Sequence, residues 1–522
     1  MGKSLYAILS GLMLTAAFPP ASLEWMAWFA LVPLLKALRD ESPSRAFRLG
    51  CLTGLVHYFT LIYWIIVVLG HYGGLNVFLS LGVLGLFCLY LSLYPALFSV
   101  LTSICRGSRF GLFLIACGWV GLEYMRANVL TGFPWCLLGY SQYRMLTLIQ
   151  MADLMGVYGL SFLIIFANAL IYALLFDRTF SAKGFLKWEA VCTGLLLAFA
   201  LIYGHQRISG LENPDKTRPS FTAAIVQGNV DQSVKWHPQY QQKTIEDYER
   251  LTLKASAFHP ALVVWPETAV PFFFQDGSEY TERVIQIVRK IHAELIFGSP
   301  AYTRENGAIR YHNRAYSLSS TGEISGFYDK THLVPFGEYV PMSRFFPFVH
   351  RLVPAAGDFA SGDKNTPLKL SRFTAGTLIC FEIIFPELAR AQTNAGADLL
   401  INLTNDAWFG MTSAPFQHLS MAVFRAVENR RFLIRSANTG FSAFVSPLGE
   451  IIQQGSLFQE EVLLQDVRPL DGSPGFYTRH GDLFAFGALI ISLIKTFFYL
   501  CYRIKNKSDI KALHGSASPR NF

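Results

Sequence analysis

Charge is scarce in this chain: Asp, Glu, Lys and Arg make up 15% of its 522 residues, against 52% hydrophobic residues. That balance excludes an ordinary soluble protein of this length, and its cause is local. The first two hundred residues or so and the last forty hold the apolar excess, whereas the stretch from about 219 to 477 has ordinary globular composition. Cysteine is sparse where it would count. Cys380 is alone in the polar stretch; the other seven (Cys51, Cys88, Cys105, Cys117, Cys136, Cys192 and Cys501) fall within or beside apolar runs. A lone thiol excludes an intradomain disulfide, which leaves inert packing or nucleophilic chemistry. It also lets a soluble domain work in an oxidising compartment without mispairing. His332 and His418 have no HExxH or His/Cys ligand spacing near them, so they are read as structural hydrogen-bonding residues, with no metal and no other cofactor expected. Internal repeats and low-complexity linkers are also absent.

What is present is a series of long apolar runs, at roughly 4–20, 22–38, 49–70, 76–105, 109–125, 155–176, 186–204 and 482–503. Most approach the roughly 20 residues that cross a bilayer as a helix. The first two are short and joined by Pro19-Pro20, a tight re-entry. The opening Met-Gly-Lys, apolar run and Thr-Ala-Ala also fit a cleavable signal peptide, but the next apolar run follows almost at once, which favours a retained first helix.

Basic residues cluster in alternate loops. Lys3 precedes the first run; Lys36, Arg39, Arg45 and Arg48 lie between the second and third; Arg106 and Arg109 lie between the fourth and fifth. Arg178, Lys183 and Lys187 lie between the sixth and seventh, and Arg503, Lys505 and Lys507 follow the eighth, whereas 70–75 carries no Lys or Arg. The net charge of +8 therefore reads as membrane topology rather than a nucleic-acid surface. The expected layout is a membrane domain of seven spans over 1–210, a soluble domain over 219–477, an eighth span over 480–504 and a cytoplasmic tail over 505–522. Both termini are expected in the cytoplasm and the soluble domain on the opposite side of the membrane.

Within the soluble block, strand-like runs at 221–226, 261–265, 294–297, 315–319, 374–379, 398–403 and 432–436 alternate with helix-like stretches at 238–258, 280–292, 386–395 and 416–430. Continuous apolar strands with intervening helices predict sheets covered on their faces, an α/β layered domain. Gly322 reads as a hairpin turn between 315–319 and 324–328.

Three residues at strand ends carry chemical potential. Glu267 follows Val-Val-Trp-Pro, Lys330 lies in Tyr-Asp-Lys-Thr-His, and Cys380 lies in Leu-Ile-Cys-Phe-Glu. Singly they read as a solvated turn carboxylate, a surface lysine and a packed thiol. Together they supply a base, an oxyanion partner and a nucleophile for acyl transfer, with the Phe381 backbone amide as a second oxyanion donor. A nearby ammonium favours the thiolate, and a nearby carboxylate can take the thiol proton. Sequence leaves open whether the three converge.

Trp-Pro-Glu267, Tyr-Asp-Lys330-Thr-His-Leu-Val-Pro-Phe-Gly-Glu338 and Cys380-Phe-Glu382 resemble the three signatures of the nitrilase (carbon–nitrogen hydrolase) superfamily. Residues 330–341 (KTHLVPFGEYVP), 403–410 (LTNDAWFG), 428–440 (ENRRFLIRSANTG) and 130–142 (LTGFPWCLLGYSQ) resemble the bacterial apolipoprotein N-acyltransferases. The resemblance implies an αββα sandwich beside the multi-pass helical bundle of about eight spans. It implies Glu267 as general base, Lys330 as oxyanion stabiliser, Cys380 as acyl-accepting nucleophile and Glu338 as an additional active-site carboxylate. Glu382 matches another glutamate needed for activity, although a carboxylate at a helix start is equally plausible on physical grounds.

Trp408 reads either as a mobile lipid-contacting residue or as core. Phe273 in 271–274 and Phe346 in 345–349 read as core, or as loops dipping into the membrane interface. The reaction implied is a two-step transfer from a phosphatidylethanolamine-like phospholipid to the α-amine of a diacylglyceryl apolipoprotein. Tethering at both ends of the soluble domain favours a monomer. The runner-up is a membrane-tethered amidase acting on small amides. A transporter or receptor fits poorly, since only Lys495 sits well inside an apolar run.

Overall fold

The computed structural model describes residues 2–180, 184–212, 219–232, 235, 237–305, 307–339, 359–363, 366–470 and 474–515. The first two hundred or so form a helical bundle: α1 (Lys3–Ala16), α2 (Val32–Ala37), α3 (Pro43–Leu61), α4 (Ile65–Val67), α5 (Val77–Cys105), α6 (Gly111–Asn128), α7 (Leu146–Ile149), α8 (Ala152–Leu175) and α9 (Phe185–Glu212). Among the described residues four helices are long and apolar enough to cross a membrane: α5, α8, the Phe185–Gly210 part of α9 and a final helix from Leu483. Joining α3 to Ile65–Tyr72 across a 59° bend makes a fifth.

The remaining apolar runs are shorter as helices than as sequence. The 14-residue α1 reaches about 21 Å at 1.5 Å per residue, short of the ~30 Å hydrocarbon core. The second run is broken by prolines into a 3-10 turn (Glu24–Trp28) and the 6-residue α2. Helix α6 carries the buried charges Glu123 and Arg126. Glu123 Oε1 accepts from the Leu138 amide (2.7 Å), and Arg126 donates to the Trp135 and Cys136 carbonyls (3.1 and 3.4 Å). These charges satisfy backbone groups of a non-helical segment that lies inside protein, where membrane proteins tolerate one.

The soluble domain has two six-stranded sheets, ordered β12-β1-β2-β3-β4-β5 and β11-β10-β9-β8-β7-β6. The first comprises β1 (Phe221–Gln227), β2 (Leu262–Val264), β3 (Glu294–Glu305), β4 (Ala308–Leu318), β5 (Ile324–Asp329) and β12 (Glu461–Val467). The second comprises β6 (Leu368–Lys369), β7 (Thr374–Ile379), β8 (Leu399–Thr404), β9 (Leu433–Ala437), β10 (Ala443–Val445) and β11 (Ile451–Gln454). Ile225, Val264 and Ile296 of one sheet meet Ile379, Ile401 and Ile434 of the other in one core cluster. Helices α10 (Pro238–Ser256) and α11 (Glu279–Ile291) cover the outer face of the first sheet. Helices α12 (Pro386–Asn394) and α13 (Ala414–Asn429) cover the second, completing the αββα sandwich.

The second helix layer does not face water. Leu419, Val423 and Phe424 of α13 share one continuous apolar core with Tyr140, Ile149 and Val157 of the bundle. Polar groups fix the register of that contact. Arg430, just past α13, pairs with Asp153 at 2.7 Å, and Arg207 of α9 reaches the same carboxylate at 2.6 Å. Gln417 of α13 is a four-way joint: its Oε1 accepts from the indoles of Trp135 (2.7 Å) and Trp64 (3.2 Å), and its Nε2 donates to the carbonyls of Leu61 (3.0 Å) and Pro19 (3.4 Å). After the short α14 (Phe476–His480) the chain re-enters the bundle as α15 (Leu483–Gly515), which continues well past residue 504 through Lys- and Ala-containing sequence of good helix propensity.

Gln417→Leu strands two indole N–H groups and two carbonyls inside the joint. It is expected to destabilise the protein by about 3 kcal/mol, read as a lowered unfolding midpoint in detergent.

Candidate active site

Glu267, Lys330 and Cys380 each lie just beyond a strand's carboxyl end: β2, β5 and β7 respectively. Strands β2 and β3 run parallel, and β5 returns to their direction through the antiparallel β4. The Glu267 turn is held against β3, where Gly298 donates to the Pro266 carbonyl (3.2 Å) and accepts from the Val270 amide (3.1 Å). A Cβ on Gly298 would collide with the backbone of Thr268, so glycine is required for this approach. Thr268 itself has φ +47°, a strained value for a β-branched residue.

The three predicted residues converge. The Lys330 ammonium, 1% exposed, lies 2.8 Å from Glu338 Oε2 and 3.8 Å from Glu267 Oε1. Asn313 of β4 clasps both carboxylates, its Nδ2 donating to Glu267 Oε1 (2.7 Å) and Glu338 Oε1 (3.0 Å). Sequence reasoning missed Asn313, because no local pattern marks a residue that acts across two strands. Glu267 Oε2 is buried and accepts no hydrogen bond among the described residues.

Burial pushes the Glu267 carboxyl up, Lys330 opposes this, and Glu338 adds to it, so it titrates above its ordinary range. Burial pulls the Lys330 ammonium down, but Glu338, Glu267 and Cys380 more than offset this and keep it firmly protonated. For Cys380, burial raises the thiol, Glu267 raises it further, and Lys330 opposes without reversing the shift. Of the two influences expected on this thiol, desolvation and the adjacent carboxylate outweigh the single ammonium, so its proton is held more tightly than in an ordinary cysteine.

Cys380 sits at φ +52°, opening the 3-10 turn Cys380–Ile384. Such a positive φ in a non-glycine residue is backbone strain held by its surroundings. Glu382 supplies much of that hold. Its Oε2 accepts from the Ile379 amide (2.7 Å), and its Oε1 accepts from the Thr331 and His332 amides (2.7 and 3.0 Å), the Thr331 hydroxyl (2.9 Å) and the Tyr328 hydroxyl (3.0 Å). It pins the Cys380 turn to the Lys330 loop. On the other side, Asn402 Nδ2 donates to the Leu378 and Cys380 carbonyls (3.0 and 3.4 Å) and its Oδ1 accepts from Arg435. Arg435 also pairs with Asp406 (2.7 Å), whose other oxygen meets His418 Nδ1 at 3.0 Å. His418 thus serves as a hydrogen-bonding scaffold residue. Burial lowers His332 to about 4, with Lys330 adding to the shift, and its ring stacks on Phe385.

The aromatic candidates separate. Phe274 is core, packed on Phe297 and Tyr316, whereas Phe273 is half-buried against Tyr302 and Tyr311. Trp408 is half-buried with its ring 4.8 Å from that of Tyr72, in the bent bundle segment. Phe381 is half-buried against Phe385. Phe346 lies outside the described residues.

A buried Glu–Lys–Cys constellation on an αββα sandwich defines a carbon–nitrogen hydrolase, and the chain matches that family's model over residues 222–471. Residues 10–170 match the model of the apolipoprotein N-acyltransferase N-terminal domain. The apolipoprotein N-acyltransferase of Geobacter metallireducens is 46% identical over 501 residues, covering 94% of this chain and 94% of the relative. That of Methylococcus capsulatus is 32% identical over 494 residues, covering 93% of this chain and 94% of the relative. A crystal structure of a carbon–nitrogen hydrolase from Helicobacter pylori aligns over 48% of this chain and 89% of its own, with 22% identity and a TM-score of 0.37. The chain belongs to the apolipoprotein N-acyltransferase family.

A neutral resting thiol makes a concrete forecast for chemical labelling. Alkylation of Cys380 by iodoacetamide, followed by intact mass, is expected to accelerate with pH beyond about 8.5, the range of an ordinary thiol. A rate plateau reached below neutrality would indicate a preformed thiolate instead.

Proposed function

We propose that the protein is an N-acyltransferase that carries a fatty acyl chain from a phospholipid, through a thioester on Cys380, to the α-amine of the diacylglyceryl-cysteine terminus of apolipoproteins. One observation supports this over a free-standing amidase: the helix behind the nucleophile, α13, is packed into the membrane bundle through Gln417, Trp64 and Trp135. A thiol held at that junction is within reach of a lipid ester, whereas hydrolysis of small soluble amides needs no bundle.

In the first half-reaction Glu267 takes the Sγ proton as sulfur attacks the ester carbonyl. Lys330 Nζ and the Phe381 N–H stabilise the tetrahedral oxyanion. Collapse breaks the ester C–O bond, Glu267 returns the proton to the departing alkoxide, and lysophospholipid leaves. In the second, the neutral amine of the apolipoprotein attacks the thioester. Glu267 accepts the nitrogen's proton, and the C–S bond breaks to regenerate the thiol. Glu338 and Asn313 hold Lys330 and Glu267 in place, and Glu382 positions Cys380 against the Lys330 loop. Trp408, whose ring meets Tyr72 of the bundle, is the candidate contact for the acyl chain.

The basic loops support both termini in the cytoplasm and a periplasmic site; tethering of the soluble domain to the bundle at both ends supports a monomer. Phosphatidylethanolamine is the favoured donor.

Purified protein given phosphatidylethanolamine and a diacylglyceryl peptide should yield N-acylated peptide and lysophospholipid in equal amounts, and Cys380→Ser neither. Cleavage of short amides without peptide acylation would favour the amidase. Glu267 works as a base only when ionised, and its carboxyl is shifted upward. Activity should therefore fall with decreasing pH at a higher value than the ~4.3 of an ordinary glutamate, and a limb at that ordinary value would contradict the assignment.

A further inference from the structure

The acyl-transfer steps leave a buried ammonium beside the Glu267 turn without a role. Lys235, 1% exposed, reaches in from the segment after β1. Its described residues are tied to their surroundings by hydrogen bonds. Asn438 accepts from the Val230 amide (2.9 Å) and donates to the Val230 carbonyl (2.8 Å), Asn405 donates to Gln232 (2.6 Å), and the Lys235 amide donates to the Asp231 carbonyl (3.1 Å). The ammonium donates to the Thr268 hydroxyl (2.6 Å) and to the Glu267 carbonyl (3.3 Å). Both acceptors are uncharged oxygens, and they belong to the strained turn that carries the general base.

Burying an ammonium costs several kcal/mol unless a negative charge compensates it, so tethering a turn does not by itself account for a charge here. The compensation lies in the site's charge balance. Glu267 faces Lys330, Glu338, Asn313, Lys235 and the Cys380 thiol. Lys330 alone is one cation shared by two carboxylates; Lys235 makes it two for two. The charge acting on Lys235 is that of Glu267, which opposes the burial that lowers this lysine to about 8, and it stays largely protonated at neutral pH.

We propose that Lys235 is a positioning residue of the acyl-transfer site, the second counter-charge that keeps the Glu267 carboxylate ionised for proton abstraction while anchoring its turn. The inference rests on Glu267 acting as the general base. Without the Lys235 charge, burial and Glu338 act on Glu267 against Lys330 and the Asn313 hydrogen bond only, and its carboxyl rises further.

The test is the pH profile of single-turnover lysophospholipid release from phosphatidylethanolamine by the full-length protein in detergent, for wild type, Lys235→Met, Lys235→Gln and Lys235→Arg. Loss of charge should move the acid limb upward, slowing acylation near neutrality about tenfold relative to each variant's own alkaline plateau, while Lys235→Arg keeps the wild-type limb. Lys235→Gln keeps a donor for Thr268 and the Glu267 carbonyl. If it restores the wild-type limb, or if Lys235→Met lowers the rate equally at every pH, the role is tethering and the proposal is overturned. Should Lys235→Met not fold, Lys235→Gln carries the same prediction. Failure of the underlying site reading looks different: Cys380→Ser would release lysophospholipid like wild type, or Glu267→Gln would leave the limb in place.

Discussion

The ammonium of Lys330 is the group on which the site depends. It is buried between Glu267 and Glu338, and the Asn313 amide donates to both carboxylates. Removing the ammonium would leave the two carboxylates facing each other without the charge that lies between them. The cluster therefore fixes the carboxyl ends of β2 and β5 against the middle of β4. Glu382 extends the same logic across the sandwich, joining the Lys330 loop to the start of the Cys380 turn through five hydrogen bonds. The thiol ends up neutral, desolvated and next to a carboxylate oxygen with no other partner among the described residues. That arrangement suits a nucleophile that must wait for substrate, since the proton moves only when the attack begins.

The membrane bundle acts through packing rather than through the chemistry. Helix α13 serves two masters. One face closes the sandwich, and its Gln417 and the adjacent Arg430 lock into bundle segments around Trp64, Trp135 and Asp153. The next residue along from Gln417, His418, belongs to the Asp406–Arg435–Asn402 chain that ends on the Cys380 carbonyl. The bundle and the nucleophile's turn are thus separated by one short run of buried polar contacts, so the thiol's height relative to the bundle is set by side-chain geometry, not by a flexible linker.

Much of this was legible in the sequence, for physical reasons that differ by element. Strands such as β7 and β8 are buried on both faces and announce themselves as continuous apolar runs, whereas the amphipathic helices α10 and α11 show as apolar residues recurring at helical spacing. The turn at Gly322 was readable because the glycine adopts φ +84° there. By contrast β11 and β12 are half-exposed and polar, β10 is three residues long, and the outer half of β3 runs through Tyr-Thr-Arg, so periodicity carried no signal for them. Apolar runs overstated the helices of the bundle, because prolines and the buried Glu123–Arg126 pair convert parts of them into turns and re-entrant backbone. Glu267, Lys330 and Cys380 were legible through motif resemblance. Asn313, Asn402 and Arg435 were not, since their meaning lies in partners far along the chain. Nor did the sequence foretell the neutral thiol, which depends on how deep desolvation runs against a single ammonium.

The central claim is a covalent acyl-enzyme formed from lipid and discharged by an amine. Its most direct test is intact-mass analysis of the purified protein after incubation with phosphatidylethanolamine alone, and again after a diacylglyceryl peptide is added. The account predicts a fatty-acyl increment on wild type that is absent in Cys380→Ser and disappears when the peptide arrives, with the acyl group recovered on the peptide amine. An enzyme that never gains the increment, or that loses it to water while the peptide stays unmodified, would contradict it.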